Sequence, residues 1–200
     1  MVDAAYLVLA NGSVYQGQAF GAFVTAPGEV VFNTSMTGYQ EVLTDPSYAG
    51  QLVVLTYPLI GNYGINTRDV ESKRIQVAGL VVREHCIYPS HGLSSSTLTE
   101  YLASQGIPGI SGVDTRSIAR SIRNHGVMMG IISQDEPEKL VEQLKSVPQY
   151  NDLDLVRTVG TNKHYYWDEY YNESSESRNR ILVSDCGLKL NILRILASRG

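Results

Sequence analysis

The sequence predicts an α/β protein: a mixed domain of strands and helices, a linker, and the first strand–helix unit of a second, doubly wound domain. Strand-like runs fill the first part, helical and strand-like runs then alternate as far as Pro148, and a strand–turn–helix pattern comes last. Aromatic, acidic and polar residues crowd the stretch before that last pattern. The predicted boundaries are 1–149 for the first domain, 150–179 for the linker and 180–200 for the start of the second domain.

Four strands begin the predicted first domain. Asn11-Gly12 predicts a hairpin turn between Ala5–Leu9 and Ser13–Gln16, with positive φ at both central residues. Glu29–Asn33 and Gln51–Tyr57 are rich in β-branched and aromatic residues, which is typical of buried strands. These two runs hold a loop of turn-forming and hydroxyl-bearing residues between them.

The next stretch joins this region to the alternating part of the domain. Asn66–Arg74 is polar and mixed in charge, so it predicts a solvated connection. Ile75–Arg83 predicts a strand in which Gly79 marks a bulge or a close backbone approach. A helix is expected over Thr97–Gln105, with a serine at 94 or 95 as its N-cap.

Helices and strands alternate through the rest of the first domain. The remaining predicted elements are the strands Ile107–Val113 and Val127–Ser133 and the helices Thr115–Asn124 and Glu136–Ser146. The helix after Asp114 carries Arg116, Arg120 and Arg123. Together they could bind a phosphate or an acidic partner surface, whereas a single arginine is more often part of a solvated helix face.

Composition excludes several classes of protein. The 200 residues are 43% hydrophobic and 18% charged, as in an ordinary globular chain. A net charge of −4 argues against a nucleic-acid partner, and no apolar run approaches the ~20 residues of a membrane helix. The first residues predict a strand and not a signal peptide, and two cysteines are too few for a disulfide framework, so we expect a cytoplasmic protein.

Two segments contain residues of the kinds found in catalytic, metal or nucleotide-binding sites. Residues 85–91 contain two histidines and a cysteine, but they lack the ligand spacing of a zinc site, and a structural role is the stronger interpretation. Cys186 follows the last predicted strand, where a helix N-terminus could lower its pKa, although burial as a small hydrophobic residue is favoured. The turn at Ser184–Asn191 lacks G-x-G-x-x-G, which makes dinucleotide binding unfavoured.

The end of the sequence predicts a strand at Arg180–Ser184 and a helix at Leu188–Ser198. Ordering ~20 residues costs about 30 kcal/mol, which needs about 1,200 Å² of apolar burial. A lone strand and helix cannot bury that much against each other. We therefore expect these residues to be the opening of a longer domain.

The segment FNTSMTGYQEVLTDPSYAGQLVVLTYPLIGNYG resembles the signature block of the small, glutamine-hydrolysing subunit of carbamoyl phosphate synthetase. The resemblance extends from LANGSVYQGQAFGA near the start, through GVDTRSIARSIRNHG, to SDCGLKLNILRILASRG. It implies that the last unit opens a class I glutamine amidotransferase domain of flavodoxin-like type.

The resemblance also implies a function. The intact subunit would hydrolyse glutamine and pass ammonia to a large subunit, which uses ATP, magnesium and bicarbonate to make carbamoyl phosphate for arginine and pyrimidine synthesis. The subunit itself would need no cofactor. The expected assembly is a heterodimer with the large subunit, able to form higher oligomers, with no nucleic acid or membrane as partner.

The resemblance assigns one site residue in this chain. Ser47 of the Asp45-Pro46-Ser47-Tyr48 loop would hydrogen-bond the glutamine substrate, whereas a serine in such a loop could instead bond only its own turn. The family's nucleophile lies in a G-x-C-x-G elbow, which these residues lack, so no catalytic residue is predicted here and Cys86 and Cys186 do not inherit that role. The alternative function is a non-catalytic interaction module.

Overall fold

The structure is a computed structural model that describes residues 3–167 and 180–199. Its strands are β1 Ala4–Leu9, β2 Val14–Gly21, β3 Ala26–Asn33, β4 Gln51–Leu55, β5 Leu59–Ile60, β6 Gly79–Val81, β7 Glu84–His85, β8 Pro108–Ser111 and β9 Met128–Ser133. Its α-helices are α1 Tyr39–Thr44, α2 Leu98–Ser104, α3 Thr115–His125, α4 Pro137–Lys145, α5 Leu155–Val159 and α6 Leu190–Ser198, and short 3₁₀ helices lie at Pro46–Tyr48 and Tyr150–Asp152.

Seven strands close into a barrel in the order β1-β2-β8-β6-β4-β3-β9, with β9 returning to β1. The four strands β3, β4, β6 and β8 run parallel to one another, and antiparallel pairs complete the circle. The mixed α/β class is therefore confirmed, but the barrel closure was not predicted. Closure joins strands that are far apart in sequence, and no local pattern records such pairing.

The inside of the barrel is filled by side chains from most of its strands. One buried cluster draws on β1, β3, β4, β6, β8 and β9, and includes Leu7, Leu52 and Ile132. Ile118 and Ile122 of α3 join the same cluster, so α3 covers one end of the barrel. The remaining helices pack outside: α2 contributes Leu98 and Leu102 to a second cluster, and α4 packs on β1 and β9.

Several predicted boundaries need correction. The Asn11-Gly12 hairpin has positive φ only at Gly12, because the loop spans four residues from β1 to β2. The predicted strand at Ile75–Arg83 is regular only in β6, although its other residues include buried Ile75 and Val77. Thr97, and neither of the two predicted serines, caps α2, where it forms a capping box with Glu100.

The predicted strand at Arg180–Ser184 is not formed. Among the described residues this segment pairs with no other strand, and Leu182 is fully exposed. An isolated strand has nowhere to place its backbone hydrogen bonds, so its apolar pattern alone cannot make it regular. The helix that follows does form as α6, two residues later than expected.

The expected solvated connection at Asn66–Arg74 is partly buried instead. Asn66 is 5% exposed, and its backbone N–H donates to Oε1 of the buried Gln40 at 2.9 Å. Val70 and Glu71 further along accept hydrogen bonds from α6. Within residues 3–167 and 180–199 no helix has the length and apolar character to cross a membrane.

Candidate functional site at the Asp45–Tyr48 loop

The loop that carries Ser47 is held by its first residue. The Asp45 side chain is 11% exposed, and its carboxylate accepts two bonds. Oδ1 accepts from the Ser47 backbone N–H at 2.9 Å, and Oδ2 forms an ion pair with Lys189 Nζ at 2.7 Å. Pro46 then fixes the first φ of the 3₁₀ turn. One buried carboxylate therefore fixes both the turn and its contact with the segment that leads into α6.

The Ser47 side chain itself is exposed. Its hydroxyl takes part in no hydrogen bond with any residue that the structure describes, because the bond inside the turn is made by the backbone N–H. The hydroxyl is thus available to a ligand as donor and acceptor. Its assignment to glutamine stays a prediction.

The rest of the loop is anchored to the barrel and to the segment after α4. The Tyr48 hydroxyl accepts a hydrogen bond from Asn33 Nδ2 at 3.0 Å, which ties the loop to the end of β3. The Tyr150 hydroxyl donates to the Ala49 carbonyl oxygen at 3.0 Å. These two bonds leave Ser47 as the exposed tip of a fixed turn.

A second turn, at Asp185–Leu188, lies against the Ser47 loop. The Asp185 carboxylate accepts from the backbone N–H groups of Gly187 and Leu188, at 3.0 and 2.8 Å. Gly187 has φ 104°, and a Cβ there would lie 3.3 Å from the Cβ of Pro46. The positive φ therefore favours glycine, and a Cβ would also lie 2.6 Å from Val159 Cγ2.

Helix α6 docks through its first turns on the Val70–Glu71 backbone. The N–H of Leu190 donates to the Glu71 carbonyl at 2.9 Å, that of Asn191 donates to the Glu71 carboxylate at 3.0 Å, and Arg194 donates to the Val70 carbonyl at 2.9 Å. A carboxylate at a helix N-terminus is stabilised by the helix dipole. The hydrogen bond to Asp45 and the nearby Glu71 raise the pKa of Lys189, which keeps the ion pair charged.

Two side chains of the histidine and cysteine segment make packing and hydrogen-bond contacts within the fold. The His85 ring stacks on Phe20 at a centroid distance of 4.4 Å, and burial lowers its pKa. The Cys86 thiol donates to the Tyr88 carbonyl oxygen at 3.3 Å. Among the described residues no group of three or more His, Cys, Asp or Glu side chains could hold a metal ion.

Cys186 was expected to be buried and is exposed. It lies in the turn before α6 and not within the first turn of that helix. The burial prediction was wrong because the segment before it is not packed as a strand.

The three arginines of α3 share one concave surface. They line a cleft of about 600 Å³ at the end of the barrel, together with Arg83, which the sequence did not single out. Lys189 was also missed. No local signal marks either residue, because each acquires its neighbours only through contacts between distant parts of the chain.

Comparison with known proteins agrees with this architecture. The family model for the carbamoyl-phosphate synthase small chain, CPSase domain, matches residues 7–132, which run from β1 into β9. The carbamoyl phosphate synthase small chain of Syntrophotalea carbinolica is 49% identical over 98% of this chain and 55% of its own length. That of Aquifex aeolicus is 44% identical over 100% of this chain and 56% of its own length.

This chain spans about half the length of the curated relatives it matches. The family model nevertheless covers most of the barrel, and the similarity to the relatives continues through the Ser47 loop to α6. The chain therefore belongs to the family of carbamoyl-phosphate synthase small chains.

Proposed function

We propose that the protein to which this chain belongs hydrolyses glutamine to glutamate and ammonia, and that the ammonia passes to a large subunit for ATP- and bicarbonate-dependent synthesis of carbamoyl phosphate. The observation in this chain that supports the proposal is the exposed Ser47 hydroxyl, which forms no hydrogen bond with any described residue. In this proposal Ser47 hydrogen-bonds glutamine and the barrel holds it in place.

The geometry around Ser47 supports a binding role and not a chemical one. No described histidine or carboxylate hydrogen-bonds the Ser47 hydroxyl, so none of the described residues is placed to activate it as a nucleophile. Asp45 uses both carboxylate oxygens on the turn and on Lys189. Because the turn is already fixed, the loop loses little conformational entropy when a ligand binds. A single hydroxyl group can therefore contribute to binding.

The nucleophile of the proposed reaction lies outside these residues. The sequence contains cysteines only at 86 and 186, and neither stands in a G-x-C-x-G elbow. We therefore expect the 200 residues alone to release no ammonia from glutamine. Ammonia release that persists after Cys86→Ser and Cys186→Ser would contradict this.

The test compares Ser47→Ala with wild type in the full-length small chain, co-purified with its large subunit. Losing one hydrogen bond to substrate should raise the KM for glutamine roughly three- to tenfold, with ammonia-dependent synthesis unchanged. Ser104→Ala is the matched control, because Ser104 is also exposed but lies on α2.

Two outcomes would contradict the proposal in different ways. Unaltered glutamine kinetics in Ser47→Ala would show that Ser47 does not bind glutamine, but would not contradict the proposed activity. Absence of glutamine hydrolysis in the wild-type complex would overturn the activity. It would favour the alternative, a non-catalytic interaction module, for which the arginine cleft is the supporting observation.

A further inference from the structure

The arginine cleft lies at the carboxyl ends of the parallel strands. Phe32 and Thr34 come from the end of β3, Thr56 and Pro58 follow β4, and Arg83 follows β6. The fourth side is α3, which presents Arg116, Arg120 and Arg123. Their spacing of i, i+4 and i+7 places all three on one helix face.

The positive charge of this cleft is not compensated. All four arginines are exposed, and among the described residues none forms an ion pair. The one acidic residue that lines the cleft is Asp114, whose carboxylate accepts a hydrogen bond from the Ser117 backbone N–H as the N-cap of α3. Like charges one turn apart on a helix repel each other, and a bound anionic group would relieve that repulsion.

The shape of the cleft fits an extended acidic segment better than one small anion. The arginines from 116 to 123 span about 10 Å along the helix axis, and Arg83 approaches from the segment after β6, so several anionic groups match this spread better than one does. Phe32, which is 36% exposed, and Pro58 give the cleft an apolar part. Carboxylates for the guanidinium groups and one apolar side chain for this part are what a protein segment supplies.

The cleft and Ser47 lie toward different ends of β4. The loop leads into the first residue of β4, whereas Thr56 leaves its last residue. Five strand residues span about 16 Å. Tyr48 of the same loop nevertheless reaches the end of β3 through its hydrogen bond with Asn33. Phe32 and Thr34, the neighbours of Asn33, line the cleft. The cleft is therefore separate from Ser47 but adjoins one anchor of its loop.

We propose that this cleft docks an acidic segment of the large synthetase subunit. The inference rests on the proposed function for the identity of the partner. What the inference adds is the location and the chemistry of the contact. The α3 face and Arg83 would pair with carboxylates of the partner. Charged contacts of this kind set the association rate and depend on salt.

The test measures the Kd between the full-length small chain and the large subunit at low and high salt. The variant Arg116→Glu/Arg120→Glu/Arg123→Glu should weaken binding by at least about tenfold at low salt, with a smaller difference at high salt. Replacing the same three arginines with glutamine should weaken binding less. Circular dichroism would establish that each variant is folded.

A matched control separates the cleft from net charge. The variant Lys139→Glu/Arg157→Glu/Lys163→Glu makes the same change in charge at exposed residues outside the cleft. Its Kd should stay within about twofold of wild type.

Three outcomes would overturn the inference. One is equal weakening by both triple variants, and another is an unchanged Kd in the α3 variants. The third is arginine-dependent binding of RNA or DNA by the wild-type chain while the large subunit binds all variants alike. If the wild-type chain does not bind the large subunit at all, the proposed function fails as well.

Discussion

At the scale of single residues, Glu41 is a half-buried carboxyl group with one unpartnered oxygen. Its Oε2 atom is buried without a hydrogen-bond partner among the described residues. Burial, with the nearby charges of Asp69 and Glu71, raises its pKa. The neutral form is therefore favoured in the folded chain, and its stabilising contribution is lost as pH rises through the folded pKa.

Glu41→Gln should consequently stabilise the protein at pH 7, because glutamine cannot ionise. The gain should vanish below the unfolded pKa of about 4.3, where the wild-type carboxyl is neutral in both states. Urea unfolding at several pH values measures the difference, with the exposed Glu138→Gln on α4 as control. A gain that does not change with pH would show that charge is not its cause.

At the scale of elements, α2 shows how a short helix is fixed at its N-terminus. The Thr97 hydroxyl oxygen accepts from the Glu100 N–H at 3.1 Å, and the Glu100 carboxylate accepts from the Thr97 N–H at 2.8 Å. Leu98 and Leu102, both fully buried, then attach the helix to the barrel.

Thr97→Ala should lower the free energy of unfolding by about 1 kcal/mol, because the Glu100 N–H loses the hydroxyl oxygen that accepts its hydrogen bond. Thr99→Ala in the same turn is the control, and it should be neutral or slightly stabilising since alanine favours helix. Equal unfolding midpoints in urea for the two variants would rule out the capping contribution.

At the scale of the whole molecule, the barrel depends on close packing across its interior. Gly79 was predicted to mark a bulge or a close backbone approach, and the closest neighbours are side chains: a Cβ there would lie 2.9 Å from Ile132 Cδ1 and 2.9 Å from Leu52 Cδ2, and 3.3 Å from the Pro108 carbonyl oxygen. Leu52 lies on the adjacent strand β4, directly paired with Gly79, and Ile132 lies on β9 across the interior. A glycine at this position therefore allows three strands to share one core.

Gly79→Ala should destabilise the protein by about 1 kcal/mol, because the Ile132 and Leu52 side chains must shift their ends to admit a methyl group. The control is Gly92→Ala, since nothing lies within 4 Å of a Cβ at that position. Thermal unfolding of the two variants measures the effect, and an unchanged midpoint for Gly79→Ala would mean that the core repacks without cost.

The sequence by itself determined most of the elements and the α/β class. Helices α2, α3 and α4 and strands β3, β4 and β9 form where apolar periodicity and caps indicate, because these signals act within a few residues. The family resemblance is confirmed as well. It also supplied Ser47, whose role in binding glutamine stays a prediction.

Only the tertiary structure decided the barrel, the position of Lys189 beside Asp45, and the meeting of Arg83 with α3. Each joins residues that are distant along the chain, where local periodicity carries no information. The predicted strand at Arg180–Ser184 fails for the same reason, since a strand is stabilised by a paired neighbour and its own side chains cannot supply one.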